Sequence, residues 1–76
     1  SEKAGGLYRS LNDELGVAAS LFLQADLCEK KGDIAGAVKR LFEVVAIDEK
    51  YQLPKLAENR ARFKRLQLLL SDQKLS

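Results

Sequence analysis

Apolar residues recur at intervals of three and four along three segments of the chain, and this spacing marks one face of an α-helix. In the first segment these residues are Leu11, Leu15, Ala18, Phe22 and Ala25. In the second they are Ile34, Ala37, Val38, Leu41, Val44 and Val45. In the third they are Leu56, Phe63, Leu66 and Leu70. No alternating run and no Asn-Gly or Asp-Gly turn indicates a strand, so the pattern predicts an all-α fold of three helices.

The dipeptide Gly32-Asp33, which follows two lysines, separates the first two helices. Gly32 can adopt the left-handed conformation that often ends a helix, and the lysines suit the negative end of the helix dipole. The Asp33 carboxylate can then accept a hydrogen bond from the first turn of the next helix. Because so short a connection makes neighbouring helices run in opposite directions, we expect an antiparallel hairpin of helices over residues 10–31 and 34–49.

Pro54 indicates where the third helix begins, because the first turn of a helix does not need the N–H group that proline lacks. We therefore place this helix at residues 54–71 and expect it to pack on the hairpin as part of a single domain, residues 10–72. From a pair of glycines we expect residues 1–9 to be a flexible N-terminus or a tag remnant. We expect residues 73–76 to form a frayed tail.

The composition excludes several classes of protein. With 46% apolar and 32% charged residues among 76, the chain resembles a single folded domain rather than a disordered segment. No apolar run approaches the roughly 20 residues that span a bilayer, and no signal sequence opens the chain. The single cysteine, Cys28, excludes an internal disulfide and fits a reducing compartment. We therefore expect a cytoplasmic protein without a transmembrane segment.

The residue types that usually perform catalysis or bind metal ions are scarce. The chain has no histidine, which is the commonest general base and the commonest neutral metal ligand. Asp26 and Glu29 share a helix face, but we interpret them as a solvated face beside Lys30. Cys28 lies on the apolar stripe with no base to activate it, which indicates a structural thiol. We expect no enzymatic activity, no cofactor and no metal site.

A further pattern runs from Gln24 to Tyr51 and is formed by Ala25, Gly32, Asp33, Ala37, Leu41, Ile47 and Asp48. This pattern resembles one tetratricopeptide repeat (TPR), a family that pairs two antiparallel helices through a glycine-aspartate turn. The resemblance implies that Ala25 and Ala37 lie where the two helices cross most closely. It also implies that the third helix caps the hairpin, and that a partner protein binds in a helical groove.

The charged third helix, over Ala57–Leu70, carries a second resemblance. It is similar to that of the microtubule-interacting and transport (MIT) domain, a three-helix bundle of about this length. Members of that family hold partner peptides along their third helix. Of the two families, the chain resembles the TPR more than the MIT domain.

Charge is distributed unevenly along the chain. Residues 1–38 contain four basic and six acidic residues, whereas residues 39–76 contain nine and five. The basic residues of the third helix are Lys55, Arg60, Arg62, Lys64 and Arg65. These basic residues form either a solvated face or a docking surface for an acidic segment, whereas the low net charge of +2 disfavours nucleic acid.

Four basic residues are the candidates for partner binding. They are Lys39, Arg40, Arg60 and Lys64, which we expect to flank one groove with an apolar floor. The sequence thus favours a non-catalytic protein-interaction module that binds a protein or peptide with acidic residues. The alternative is a homo-oligomerisation or scaffold segment, since a single repeat hairpin cannot bury both of its faces alone and a homodimer would cover one.

Overall fold

The computed structural model describes residues 10–75, which form three α-helices: α1 at Leu11–Lys31, α2 at Ile34–Tyr51 and α3 at Leu56–Leu75. No strand occurs within these residues. The predicted all-α, three-helix fold is confirmed. The predictions for residues 1–9 and for Ser76 lie outside the described part of the chain.

Helix α1 is capped at both ends by its own sequence. The Ser10 hydroxyl accepts a hydrogen bond from the backbone N–H of Asp13 at 3.2 Å. At the other end Gly32 has a φ of 83°, the left-handed conformation expected of it. The N–H of Gly32 donates to the carbonyl of Glu29, and that of the following residue donates to the carbonyl of Cys28. This pair of bonds is the Schellman motif, which satisfies carbonyls that a helix end leaves without partners.

Helix α2 begins immediately after this turn because Asp33 caps it. The Asp33 carboxylate accepts a hydrogen bond from the backbone N–H of Gly36 at 3.0 Å. The helix ends two residues later than predicted, at Tyr51, where Gln52 takes a left-handed φ of 51°. The Gln52 side-chain amide donates to the carbonyl of Glu49 at 2.8 Å. A non-glycine residue therefore ends the helix with its own side chain as an additional cap.

Helix α3 corrects two boundary predictions. Pro54 does not lie in its first turn; it lies in a preceding turn in which the N–H of Leu56 bonds to the carbonyl of Leu53 at 3.1 Å. The ring of Pro54 favours this position because its φ is already that of a turn residue. The predicted frayed tail is also wrong for residues 73–75, which belong to the helix. They are good helix formers without glycine or proline, and Lys74 favours the negative helix end.

Helix α2 lies at the centre of the fold and packs against both other helices. Cα atoms of α2 approach those of α1 and of α3 within 8 Å, whereas no Cα atom of α1 lies that close to one of α3. The core cluster consists of Ala25, Ile34, Ala37, Leu41, Val44 and Leu66. Ala25 and Ala37 are completely buried in it, on the two helices of the hairpin. Helices α1 and α3 are thus held mainly through α2, and clefts remain beside it.

Candidate functional site

The groove between α2 and α3 is the first candidate site, and we call it the seam groove. It consists of two adjoining clefts of about 300 and 560 Å³, both lined in part by Lys64. The large apolar residues that line it are Val38, Phe42, Val45, Phe63, Leu68 and Leu70. The basic residues at its edge are Arg60, Lys64 and Lys74. The seam groove therefore combines an apolar floor with positive charge along the α3 side.

Phe42 is the exposed aromatic residue of the seam groove. It follows the fully buried Leu41 and so points about 100° away from the core. Its ring lies 6.0 Å from that of Phe63, centroid to centroid, at an interplanar angle of 47°. Even with this contact 61% of Phe42 is exposed. A large aromatic side chain with so little cover is the type of residue that anchors a partner at protein interfaces.

The basic residues of the seam groove differ in how they are paired. The Arg60 guanidinium bonds to the Glu49 carboxylate at 2.5 Å across the groove. Lys64 and Lys74 form no ion pair within residues 10–75. Because they are ten residues apart on one helix, their Cα atoms are separated by roughly 15 Å along its axis. Two cations that pair with no acid among the described residues therefore lie about 15 Å apart beside the apolar floor.

The four predicted partner-binding residues do not share one groove. Arg60 and Lys64 line the seam groove as expected. Lys39 is exposed but does not line it. Arg40 lies on the other flank of α2, where its guanidinium donates to the side-chain carbonyl of Gln24 at 3.0 Å and to a backbone carbonyl of α2. Adjacent residues of a helix point about 100° apart, so Lys39 and Arg40 cannot both face the same groove. Arg40 instead connects α2 to α1.

A second cleft, of about 480 Å³, opens between α1 and the start of α3, and we call it the α1–α3 cleft. Its apolar lining includes Leu15, Phe22, Val44, Leu53 and Pro54. Its polar lining consists of Asp48 and Asn59, which are buried, and of Lys55, which is exposed. The Asn59 amide donates to the Asp48 carboxylate at 2.8 Å. This bond pairs the two buried groups with each other, and the Lys55 ammonium lies 3.8 Å from the Glu58 carboxylate. Each of these polar side chains of the α1–α3 cleft therefore already has a partner.

The sequence interpretation missed the role of Arg62, which links α1 to α3. Its guanidinium bonds to Asp26 at 2.6 Å and to Glu29 at 2.7 Å, and it lies 5.2 Å from the ring centre of Phe22. Arg65 approaches Glu29 more loosely, at 3.6 Å. Burial acts to lower the pKa of Arg62, but the hydrogen bonds that its guanidinium donates to Glu29 and Asp26 outweigh this effect and raise the pKa above its usual value.

The acidic pair Asp26 and Glu29 therefore has a structural role in addition to its contact with solvent. Their i,i+3 spacing on α1 was the only signal in the sequence, and it indicated a shared helix face. The cation that faces them is 33 residues from Glu29 along the chain. No local pattern in the sequence predicts a partner so far along the chain. The contact forms only because α3 packs on α2 in a way that brings Arg62 beside α1.

Lys50 and Tyr51 connect the end of α2 to the start of α1. The Lys50 ammonium bonds to the Glu14 carboxylate at 2.8 Å, and the Tyr51 hydroxyl donates to the same carboxylate. The hydrogen bond to Glu14 raises the pKa of both groups. This cluster secures the open end of the antiparallel hairpin, opposite the Gly32 turn.

Within the described residues, no group of three or more acidic, cysteine or histidine side chains is placed to hold a metal ion. No helix there has both the length and the apolar character that a membrane crossing needs. Comparison with protein-family models, with curated proteins and with solved structures finds no match for the chain. A three-helix arrangement does not distinguish the TPR from the MIT domain, so both resemblances stay predictions.

Proposed function

We propose that this chain is a non-catalytic protein-interaction module that holds an amphipathic helix of a partner protein in the seam groove. The observation that carries the proposal is the exposure of Phe42 on the apolar floor, beside Lys64 and Lys74, which form no ion pair within residues 10–75. An amphipathic helix laid in an apolar groove is a common mode of peptide recognition. The α1–α3 cleft supports such a choice less well, because its two buried polar groups bond to each other and its lysine, Lys55, has Glu58 as a partner.

The charges at the edge of the seam groove specify the chemistry of the partner. Lys64 and Lys74 are separated by about 15 Å along α3, which is the rise of ten helical residues. A helix lying along α3 meets both cations when two acidic residues stand about ten residues apart on it. Between these acids, aliphatic residues at intervals of three and four would cover Phe42 and Leu70. The partner segment is therefore an acidic amphipathic helix of about three turns.

The apolar and charged contacts contribute differently to binding. Burial of Phe42 and of the facing aliphatic side chains supplies most of the affinity, since large apolar anchors dominate interface energetics. The lysines mainly raise the association rate and make it depend on salt. Arg60 contributes less, because it already bonds to Glu49 and a partner acid has to compete with that carboxylate.

The test is a selection from a displayed library of helical peptides with varied acidic and aliphatic positions, followed by binding kinetics on the winning peptide. We expect enriched peptides to carry the acidic pair at the stated spacing. Phe42→Ala should weaken their affinity by about tenfold or more, chiefly through faster dissociation. Lys64→Glu with Lys74→Glu should slow association strongly at low salt and much less at high salt.

Matched controls separate the seam groove from general surface effects. Leu27→Ala removes an apolar side chain of similar exposure from α1, and Lys30→Glu with Lys55→Glu makes the same change in net charge elsewhere. Both should leave peptide binding unchanged. Peptides enriched without acidic residues, or peptide binding that is indifferent to Phe42→Ala, would show that the seam groove is not the binding site.

A further inference from the structure

The side of α1 that faces away from the core carries exposed leucines, and we call it the outer face of α1. Leu23 and Leu27 are 62% and 57% exposed there. The helical repeat places Gly16 and Ser20 on the same side, opposite the buried Ala18 and Ala25. No residue from 10 to 75 covers these leucines, so α1 presents a second apolar surface that is separate from the seam groove.

The outer face of α1 is complementary to itself when two copies run antiparallel. With a two-fold axis midway between positions 21 and 22, residues whose numbers add up to 43 lie opposite each other. Leu27 then faces Gly16 of the other copy, and Leu23 faces Ser20. Each leucine meets a small residue, which allows the two helices to approach closely and the side chains to interdigitate. A parallel arrangement would instead place leucine against leucine and glycine against glycine.

The charges at the ends of the outer face favour the same arrangement. Asp13 stands in the first turn of α1 and Lys31 in the last, and both are exposed without an ion pair within residues 10–75. At 100° per residue the two lie on the same edge of the outer face, since they are five turns apart. The antiparallel arrangement brings Asp13 of each copy beside Lys31 of the other. Two symmetric ion pairs therefore flank the leucines.

We propose that the chain forms a homodimer through the outer face of α1, with the two α1 helices antiparallel about a two-fold axis. Such an interface uses the same residues of both copies, which is the commonest symmetry of protein oligomers. One helix pair of about 30 Å buries less surface than the roughly 1,200–2,000 Å² of a standard interface, so the dimer is weak and reversible. The seam groove stays open in it, and each copy presents one.

Sedimentation equilibrium of the full chain, from micromolar to submillimolar concentration, tests the dimer. We expect a reversible monomer–dimer equilibrium in this range. Leu23→Gln with Leu27→Gln should weaken the association at least about tenfold, since four exposed leucines leave the interface. The control is Leu68→Gln, which changes a leucine of 70% exposure on α3 and should leave the dimer unchanged. Circular dichroism should show unaltered helix content in every variant.

A charge swap tests the antiparallel arrangement. Asp13→Lys should weaken the dimer by about tenfold, because it sets lysine beside Lys31 of the other copy. Asp13→Lys with Lys31→Asp should restore most of the association. The double variant places both charges unfavourably for the helix dipole, so a recovery cannot come from a more stable helix. A strictly monomeric chain, a dimer indifferent to the leucine changes, or a charge swap without recovery would each overturn the proposal.

The outcome is independent of the proposed peptide binding. The leucine variants of α1 should bind the selected peptide with unchanged affinity, and Phe42→Ala should dimerise normally. Failure of one proposal therefore leaves the other standing.

Discussion

Two residues in the left-handed conformation end the first two helices, and they differ in how readily they adopt it. Gly32 has no side chain to strain at a φ of 83°. Gln52 adopts the same kind of conformation at a φ of 51°, which strains a residue with a side chain. Its side-chain amide offsets part of this strain by donating to the carbonyl of Glu49. The short turn between α1 and α2 depends on Gly32, because Asp33 must follow at once to cap α2.

The first prediction concerns this turn. Gly32→Ala should lower the free energy of unfolding by about 1 kcal/mol, since a Cβ strains a residue at positive φ even where space is open. The control is Gly16→Ala, at an exposed position in the interior of α1 where a Cβ meets nothing within 4 Å. That variant should raise the free energy of unfolding by about 1 kcal/mol. Urea denaturation at low protein concentration measures both, and equal effects of the same sign would contradict the argument.

At the scale of the elements, α2 is the helix on which the other two depend. It supplies Ile34, Ala37, Leu41 and Val44 to the core cluster, whereas α1 and α3 each supply one fully buried residue, Ala25 and Leu66. Ala37 has no exposed surface, so a longer side chain has no space there. Its neighbour Ala35, in the same turn, is exposed.

The second prediction uses this pair of alanines. Ala37→Glu should lower the free energy of unfolding by several kcal/mol, about 3 or more, because it overpacks the hairpin and buries a carboxylate without a partner. Ala35→Glu makes the same chemical change at an exposed position of the first turn. It should be neutral or stabilising by a few tenths of a kcal/mol, since a negative charge suits the start of a helix. Thermal unfolding followed by circular dichroism distinguishes them; similar midpoints for the two variants would show that Ala37 is not packed.

At the scale of the whole molecule, the relation of α1 to α3 rests on side chains instead of backbone packing. Arg62 spans the gap with bonds to Asp26 and Glu29, and its side chain is only 18% exposed. Arg65 carries the same charge three residues later but is 60% exposed and makes one contact, with Glu29 at 3.6 Å. Solvent-exposed ion pairs stabilise a fold little, whereas partly buried ion pairs with good hydrogen bonds stabilise it more. Arg62 should therefore contribute more to the free energy of unfolding than Arg65.

The third prediction follows from this difference. Arg62→Met should lower the free energy of unfolding by about 1–3 kcal/mol, because the two carboxylates lose their hydrogen-bonded partner. It should also speed amide hydrogen exchange in α3, which then loses its strongest link to α1. Arg65→Met should lower the free energy of unfolding by less than about 0.5 kcal/mol. Hydrogen exchange followed by mass spectrometry measures the exchange rate of the α3 amides directly. If the two variants exchange alike, Arg62 does not fasten α3 to α1.

The sequence by itself determined the three helices and the turn at Gly32-Asp33. These features depend on interactions between residues a few positions apart: apolar periodicity, capping hydrogen bonds and the conformational freedom of glycine. Where the boundaries differ, as at Pro54 and in residues 73–75, the competing signals were also local, and a turn before the helix satisfied proline equally well.

Only the tertiary structure decided which charged residues face one another. Arg40 and Arg60 belong to the same predicted set, yet one bonds to Gln24 on α1 and the other to Glu49 beside the seam groove. Arg62 finds acids on a helix more than 30 residues away. The reason is geometric: the helix repeat assigns each side chain to a face, but the packing of α1 and α3 on α2 determines what that face meets.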